Sequence, residues 1–532
     1  MVFCRKPWHR IWIALFFAAL LLIGLATVRD YGMPFDEFIE MQVLDSTLRE
    51  YAVHWSPESY FAGQGRPLME IANRDRGICM YYPLALVIPS IQDNIRIYSY
   101  VWSVFTWLIF MMGCVSLYGI LREIGASTLL SMAGTLMLYL CPRLFSEGHY
   151  NNKDVVLLCT MLFSLWMGIR LLKKPGYGRA VLLSLAGAIS TNNRIAGAFP
   201  WIFMCLAAVV LVTVNKQWTR RMAYVALTAF ASFFLFYFLL TPASWTDPAT
   251  FFFYNMSNVT NYSRWDSIVL FRGAEFYDLH GTTPLPWYYV PFYMLVTIPL
   301  YTFVFAAIGL WYIVRSLFTE RKVFFASPIS LAVLAAILSW AVPVIYSCIK
   351  TPVLYNGWRH FYFCYAGLVV QAGYGIYRMG QSLKRSKALK AAGAGVLSLC
   401  LAFTAAGLAL NHPYQFAYFN PLFPRDARRT MELDYWNVSD AGAFIELCRR
   451  KDSESDPLKV GCYFNDIKVG LYKLPESLYQ RLEISTKPDD DYLYYNATYV
   501  HMYSVPEPPE GYHILFELKS YGNTIGVMYE RD

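Results

Sequence analysis

Charged residues are scarce in this chain of 532 residues: Asp, Glu, Lys and Arg make up 15% of it, and hydrophobic residues make up 56%. The mean hydropathy is +0.34. A soluble protein of this length needs far more charge to cover its surface. The apolar residues are gathered in runs of about 20, the length that crosses ~30 Å of hydrocarbon. These features exclude a soluble globular protein and predict an integral membrane protein.

Signatures of several other protein classes are also missing. The eleven cysteines include no Cys-x-x-Cys pair and so no familiar metal-binding spacing. No Walker-type glycine-rich loop occurs, so a nucleotide substrate is not expected. No internal repeat or low-complexity tract stands out. The net charge of +8 comes from basic residues in short loops beside the apolar runs. This placement indicates how the chain is oriented in the membrane, and no nucleic-acid partner is predicted.

Eleven membrane-spanning segments are predicted from the apolar runs, and the fifth is short enough to belong to a broken helix. They cover residues 11–28, 98–121, 127–145, 154–172, 180–191, 195–214, 222–240, 291–314, 324–347, 359–378 and 391–410. The first segment lacks a small-residue cleavage site, so it is predicted to be a retained helix rather than a signal peptide. The fold class predicted is therefore a polytopic all-α bundle.

Basic residues give this bundle an orientation. Arg5, Lys6 and Arg10 precede the first span, which predicts a cytoplasmic N-terminus. Every second loop after it is short and basic, and the last of these loops contains Lys384 and Arg385. The unbroken alternation supports the count of eleven spans and predicts that the C-terminus lies outside the cytoplasm.

Long segments fall on the predicted outer face, where they are candidates for folded, functional loops. They cover roughly residues 29–97, 142–153, 241–290, 348–358 and everything after 410. After residue 410 a helix preceded by Ser439 and several short strand-like pieces predict a small α/β domain, residues 411–532, following a transmembrane domain, residues 1–410. Cys448 and Cys462 lie in this smaller domain, and whether they pair is left open.

An acidic pair follows the first span within a few residues. In Tyr31-Gly-Met-Pro-Phe-Asp36-Glu37, two carboxylates come directly after a proline that ends any continuing helix. Asp154 has the equivalent position at the outer start of the fourth span. An acid in a loop leaving a membrane is often only a solvated residue, but ionisable groups held at membrane depth favour a functional role. The two outer loops are therefore predicted to bring their acids into one cavity.

Cationic side chains are predicted on the same outer face, where the positive-inside rule predicts few. Lys153 precedes Asp154, Arg194 lies between the fifth and sixth spans, and Arg359 and His360 begin the tenth. Each alone could be a snorkelling residue or a salt-bridge partner. Together they suit a phosphate at the headgroup level, which Arg binds through paired hydrogen bonds. Acids that activate an acceptor, beside cations that hold a phosphate leaving group, make a transferase site.

Several short motifs, in this order and topology, resemble the membrane glycosyltransferases of the C-type fold, in the branch similar to dolichyl-phosphate-mannose-protein mannosyltransferases. Pro34-Phe-Asp36-Glu37 matches the acidic motif of that family's first outer loop. Gly148-His-Tyr-Asn-Asn-Lys153-Asp154 resembles its second-loop motif, close to G-H-x-x-N-P-K-D in many bacterial members, with Asn152 in place of the proline. Other segments similar to bacterial members are Thr191–Gly197, Leu285–Tyr289, Gly357–Tyr362 and His412–Asn420. The resemblance covers most of residues 1–440.

The resemblance implies an inverting transfer of a monosaccharide from a polyprenyl-phosphate donor, outside the cytoplasm and in a bacterial inner membrane. By position, Asp36 would be the general base that deprotonates the acceptor hydroxyl. Glu37 would orient Asp36 or the acceptor, and which of the two acids acts stays open. Asp154 would bind the acceptor or position a cation in the same cavity. The candidates for holding the donor phosphate are Lys153, Arg194, Arg359 and His360.

No cofactor is certain on this interpretation, and a divalent cation at Asp36 and Asp154 is left open. The expected partners are the lipid-linked donor, membrane lipid, and a protein, glycolipid or polysaccharide acceptor. One alternative is a polytopic lipid or glycolipid transporter or flippase, which should carry its acids at mid-span and show paired half-repeats. Another is a receptor or scaffold built on the outer domain, which needs no cavity of acids and cations.

Overall fold

The computed structural model of this chain is mainly α-helical and carries a five-stranded β-sheet near its C-terminus. It describes residues 7–260, 268–277, 284–423, 427–452, 457–462, 467–486, 490–497 and 508–532. Arg5 and Lys6, which contributed to the predicted orientation of the first span, lie outside these ranges. The outline predicted above, a helical bundle followed by a smaller α/β unit, agrees with these elements.

Helices account for most of the described residues. The first ten are α1 Pro7–Thr27, α2 Glu37–Trp55, α3 Ile88–Ile91, α4 Ile95–Ile124, α5 Thr128–Tyr139, α6 Pro142–Glu147, α7 Asp154–Lys173, α8 Tyr177–Asn193, α9 Phe199–Val214 and α10 Arg220–Leu240. The others are α11 Pro248–Thr260, α12 Tyr289–Thr297, α13 Leu300–Thr319, α14 Arg321–Ala326, α15 Pro328–Lys350, α16 Cys364–Ser382, α17 Lys387–Leu410, α18 Asp440–Arg450, α19 Ile467–Leu471 and α20 Glu476–Tyr479.

All eleven predicted spans coincide with helices. Among the residues that the structure describes, eight helices are long and apolar enough to cross a membrane: α1, α4, α7, α9 with the turn before it, α10, α13, α15 and α17. The other three predicted spans fall on α5 with α6, on α8 and on α16. Of these, α5 has 12 residues, α8 has 17, and α16 carries Gln371 and Arg378. Eight spans are thus supported by length and composition, and the count of eleven stays a prediction.

Contacts between helix ends show that successive helices alternate in direction. At one end, Lys153 at the start of α7 is paired with Asp36, which follows α1, across 2.7 Å. At the other end, Lys173 at the close of α7 is paired with Glu123 at the close of α4, across 2.6 Å. We call these the Asp36 end and the Lys173 end. The chain therefore returns to the Asp36 end between α4 and α7, through α5 and α6.

Short capped turns reverse the chain at the Lys173 end. Gly125, with φ of +107°, ends α4 in the left-handed region that favours glycine. The hydroxyl groups of Ser127, Thr219, Ser327 and Ser386 each accept a hydrogen bond from the backbone N–H three residues later. These are ordinary helix N-caps. They begin α5, α10, α15 and α17.

The core of the bundle lies around α4, α7 and α16, whose side chains are mostly buried. Trp102 and Trp107 of α4 and Tyr365 of α16 are fully buried there. By contrast, α1, α10 and α17 are just as apolar but largely exposed, with side chains such as Leu22 and Phe403 pointing outward. A continuous apolar surface around a packed interior is what helices that face lipid show.

The C-terminal sheet has the strand order β4-β3-β5-β7-β6. Its strands are β3 Leu458–Cys462, β4 Leu482–Ser485, β5 Tyr492–Asn496, β6 Tyr512–Ser520 and β7 Asn523–Arg531, and a separate hairpin is formed by β1 Ile268–Phe271 and β2 Ala274–Tyr277. Strand β3 is parallel to both its neighbours, whereas β7 is antiparallel to both of its own. Helix α18 covers the sheet with Ala443, Phe444 and Leu447. Cys448 and Cys462 share this core and are not joined by a disulfide.

The segment between α17 and α18 packs with the bundle. Phe416, Met431, Trp436 and Val438 belong to the main core, and the separate core of the sheet begins with Ala441. The division at residue 410 stays a prediction. What matters for the site is that this segment reaches the Asp36 end of the bundle.

Candidate functional site

The acidic motif is fixed against the segment that precedes α18. The backbone N–H of Gly32 donates to the carbonyl of Val438, and that of Phe35 donates to the carbonyl of Trp436, both at 3.3 Å. The chain then passes Asp36 and enters α2. Two main-chain hydrogen bonds therefore set where the motif stands relative to Trp436.

Asp36 takes part in a chain of alternating charges. The ammonium of Lys153 lies 2.7 Å from the Asp36 carboxylate and 2.9 Å from that of Glu40. Glu40 is paired in turn with Arg76, also at 2.9 Å. Burial raises the pKa of the Glu40 carboxyl, but the charges of Lys153 and Arg76 outweigh it, so that this pKa is lowered. Asp36 is 13% exposed and Glu40 only 3%, which makes Asp36 the more accessible carboxylate partner of Lys153.

Glu37 points away from these charges although it adjoins Asp36 in sequence. Its carboxylate is buried and accepts a hydrogen bond of 2.7 Å from the hydroxyl of Ser99 on α4. Burial raises the pKa of Glu37 to about 7, against the opposing effect of the nearby Lys473 ammonium. Asp36 thus faces the start of α7, and Glu37 faces α4.

Asn151 shapes the loop that carries Lys153 and Asp154. Its side-chain oxygen accepts from the backbone N–H of Lys153 at 3.2 Å and of Asp154 at 2.8 Å. Its amide group donates to the carboxylates of Glu147 at 2.6 Å and Asp154 at 3.3 Å. Glu147 also accepts from the hydroxyl of Tyr362, at 2.5 Å. The start of α7 is therefore held by a buried polar network rather than by a proline.

Asp154 is bound by two guanidinium groups. Arg194 lies 2.8 Å from one carboxylate oxygen and Arg359 lies 3.5 Å from the other. Arg359 is enclosed by three aromatic rings, with its guanidinium carbon 4.8 Å from the ring centroids of Tyr355 and Tyr435 and 4.4 Å from that of Trp436. Such contacts stabilise a cation that has lost its water.

Trp436 joins the two groups of charges into one site. The ammonium of Lys153 lies 5.4 Å from the Trp436 ring that also carries Arg359. Five of the seven residues predicted from the sequence are thus in the same cluster of ion pairs: Asp36, Lys153, Asp154, Arg194 and Arg359. We call these five residues, with Glu40 and Arg76, the charged cluster.

His360 lies at the edge of the charged cluster. Its ring packs edge-on against Tyr355, with 4.7 Å between the ring centroids. Its Nδ1 atom is buried and has no hydrogen-bond partner among the residues the structure describes. Its role in holding the donor phosphate stays a prediction.

Glu40, Arg76 and the aromatic residues around Arg359 were not predicted from the sequence. Glu40 follows Asp36 by four residues, so a helix starting after Asp36 would have placed both on one face. Arg76 lies in a long irregular segment with no pattern that marks it. Tyr435 and Trp436 were assigned to the C-terminal domain, and only their contacts with Arg359 show that they belong to the site.

A divalent cation does not fit the residues of this site. Asp36 is already paired with an ammonium group and Asp154 with two guanidinium groups. Over the described part of the chain, no three His, Cys, Asp or Glu side chains are grouped so that they could hold a metal ion. Cationic side chains stand where a metal would have to bind the carboxylates.

Comparisons with known proteins give a likeness only at the level of overall fold. No protein-family model matches the chain, and no curated protein matches it. Among solved structures, it is similar to ArnT from Cupriavidus metallidurans bound to undecaprenyl phosphate, with 11% identity and a TM-score of 0.43, covering 97% of this chain and 98% of that one. The apo state of the same protein gives 10% identity and a TM-score of 0.44, with 97% of each chain covered. At these values the likeness assigns no role to any residue.

The charged cluster has one positive charge in excess. Its carboxylates are Asp36, Glu40 and Asp154, and its cations are Arg76, Lys153, Arg194 and Arg359. Arg76 and Arg194 are 21% and 25% exposed, whereas the partners they bind are almost fully buried. A site of this kind is suited to an anionic ligand that approaches from the exposed side.

Proposed function

We propose that this chain is a membrane glycosyltransferase of the C-type fold that moves a monosaccharide from a polyprenyl-phosphate donor to an acceptor outside the cytoplasm. The observation that carries the proposal is the charged cluster: acids and surplus cations interleaved at one end of an apolar bundle. A transfer from a lipid phosphate needs a base for the acceptor and fixed positive charge for the phosphate that leaves. Both are present in two groups of ion pairs that meet at the ring of Trp436.

Asp36 is proposed as the general base. The acceptor hydroxyl oxygen attacks the anomeric carbon while its proton passes to the Asp36 carboxylate. The bond between the anomeric carbon and the phosphate oxygen breaks, and its electron pair stays with the phosphate. Attack from the face opposite the phosphate inverts the anomeric configuration. The buried, inward-facing position of Glu37 favours Asp36 over Glu37 as the acid that meets the acceptor.

Arg194, Arg359 and Lys153 are proposed to stabilise the departing phosphate. Negative charge grows on that phosphate as the bond breaks, so cations already in place lower the barrier directly. The aromatic rings around Arg359 fix its guanidinium without taking its charge away. Asp154 then orients the two arginines, and His360, which packs against Tyr355 beside them, is retained as a candidate for holding the phosphate.

The acceptor is proposed to be a protein, a glycolipid or a polysaccharide of the cell envelope. A lipid-linked donor would reach the cluster from the membrane, because the cluster lies where apolar helices end. No divalent cation takes part in the proposed step, since the cations of the chain already hold the carboxylates.

The proposal is tested by the release of free polyprenyl phosphate. Purified protein is supplied with a panel of polyprenyl-phosphate monosaccharides and with native membrane extract as the source of acceptor. Asp36→Asn should lower the release by a factor of about 100 or more, since a positioned base contributes roughly 10²–10⁴-fold. The matched control is Asp45→Asn, on the same helix but outside the charged cluster, whose carboxyl has its pKa raised to about 6 by burial. It should keep full activity.

Two outcomes would count against this function. Equal release by wild type and Asp36→Asn would remove Asp36 from the mechanism. No release by wild-type protein with any donor would favour the transporter alternative, and translocation of the same lipids across vesicle membranes would then be measured.

A further inference from the structure

The C-terminal unit contacts the bundle beside the acidic motif, through the segment from α19 to α20. Arg96, at the start of α4, is paired with Glu476, and its guanidinium carbon lies 5.0 Å from the ring centroid of Tyr479. One turn further along α4, the hydroxyl of Tyr100 donates to the carbonyl of Lys473 at 2.8 Å. These contacts fix the position of Lys473 relative to α4.

Lys473 extends its ammonium group into the bundle. The residue is only 3% exposed, and its Nζ atom donates to the hydroxyl of Ser103 at 2.7 Å. Ser99, one turn earlier on the same face of α4, donates to the Glu37 carboxylate. Two serines on one helix therefore hold a cation from the C-terminal unit and an anion from the acidic motif next to each other.

Glu37 needs this cation because its surroundings supply little else. One carboxylate oxygen accepts from Ser99, and the other, Oε2, is buried with no hydrogen-bond partner among the described residues. A buried charge without a partner is strongly destabilising. Asp36 and Lys153 also act on Glu37 with opposite signs, and Tyr81 and Tyr98 pack near it.

We propose that Lys473 is a positioning residue through which the C-terminal unit completes the active site: its buried ammonium keeps Glu37 ionised and in place beside Asp36. The inference rests on the proposed transferase function of the Asp36 end. Lys473 touches neither donor nor acceptor and acts through Glu37. Loss of the contact between the C-terminal unit and α4 would therefore leave the acidic motif present but misplaced.

The electrostatics of the two groups agree with this geometry. Burial raises the pKa of Glu37, and the charge of Lys473 opposes that rise. Burial likewise lowers the pKa of Lys473, and the charge of Glu37 opposes that fall. Each group thus supports the charged form of the other, and removing one should neutralise the other.

The pH dependence of turnover separates this role from a merely structural one. If ionised Glu37 is needed, activity is present above its pKa and is lost as the pH falls through it. Lys473→Met raises that pKa, so the acid limb of the kcat profile should move to higher pH by about one unit, the effect of one nearby charge. Lys473→Arg should leave the limb where it is in wild type.

Arg96→Met is the matched control, because it weakens the same contact of the C-terminal unit but keeps the buried ammonium. It should leave the acid limb unmoved. If Lys473→Met lowers kcat but leaves the acid limb of its pH profile unshifted, the inference is overturned. An equal shift of the acid limb in Arg96→Met would overturn it as well.

A second measurement needs no substrate and so distinguishes this inference from the proposed function. Thermal unfolding at pH 8 is followed for Lys473→Met, Glu37→Gln and the double variant. When Glu37 is present, Lys473→Met should lower the unfolding midpoint by roughly twice as much, or more, as it does in the Glu37→Gln background. The reason is that the charges of Lys473 and Glu37 are coupled. Additive shifts would overturn the inference even if the transferase reaction is found. Coupled shifts with no donor turnover would overturn the proposed function and leave the Lys473–Glu37 coupling in place.

Discussion

Asp154 is held by two arginines that differ in how much water reaches them. The side chain of Arg359 is 4% exposed and that of Arg194 is 25% exposed. Breaking a buried ion pair costs roughly 3–5 kcal/mol, whereas exposed pairs contribute about 1 kcal/mol or less. Arg359→Met should therefore lower the free energy of unfolding by about 3 kcal/mol, and Arg194→Met by about 1 kcal/mol. Thermal and denaturant unfolding of the purified variants measures both, and a larger loss for Arg194→Met would contradict the assignment.

At the residue scale, the sequence predicted the members of the charged cluster that belong to motifs. Asp36, Lys153 and Asp154 could be found because they follow the ends of apolar runs, and Arg194 and Arg359 because cations are unexpected on the outer face. Arg76 could not be found in this way, since no local pattern marks its ion pair with Glu40. The direction of a side chain also escapes the sequence: Asp36 and Glu37 are neighbours, yet they face different helices.

The start of α7 is the structural element on which the site depends most. The side-chain oxygen of Asn151 accepts from the backbone N–H groups of Lys153 and Asp154, and its amide group bridges the carboxylates of Glu147 and Asp154. Asn151→Ala should lower stability by about 1–2 kcal/mol, because buried hydrogen-bonding groups lose their partner, and should lower turnover further by releasing Lys153 and Asp154. Asn152→Ala is the control, because the structure shows no side-chain hydrogen bond from Asn152 to described residues. Turnover and unfolding midpoints are compared in parallel, and equal effects of the two changes would argue against a special role for Asn151.

Elements with a strong local signal could be predicted, and elements without one could not. Helix α18 begins after Ser439 as expected, but the Ser439 side chain makes no capping hydrogen bond, and the turn before the helix is held by the Asp434 carboxylate, which accepts from the backbone N–H groups of Val438 and Ser439. Helix α2 was not predicted, because it lies in a long outer segment and its buried face mixes the charged Glu37 and Glu40 with apolar residues such as Met41. Strand β4 is four residues long and is defined only by its pairing with β3. Tertiary contacts decide such elements.

For the whole molecule, the predicted alternation of spans agrees with the helix ends wherever ion pairs report them. These pairs show that the chain reverses through α5 with α6 and through α8, although these helices are short. Helix α16 tolerates Gln371 because that side chain is buried, donating to the carbonyl of Ala306 and accepting from Trp340. Hydropathy alone undercounts helices that are shielded from lipid by their neighbours.

The orientation of the bundle decides on which side of the membrane the proposed active site works, because Asp36 follows the first helix. With a cytoplasmic N-terminus, the Asp36 end and the C-terminal unit are expected outside the cytoplasm and the Lys173 end inside it. Single cysteines at two exposed positions, Glu320→Cys at the Lys173 end and Glu510→Cys in the C-terminal unit, report this through a membrane-impermeant thiol reagent. We expect Glu510→Cys to be labelled in intact cells, and Glu320→Cys only after permeabilisation, with wild-type protein as the background for the native cysteines. Labelling of Glu320→Cys but not of Glu510→Cys in intact cells would instead indicate the reverse orientation and would place the charged cluster on the wrong side for an acceptor outside the cytoplasm.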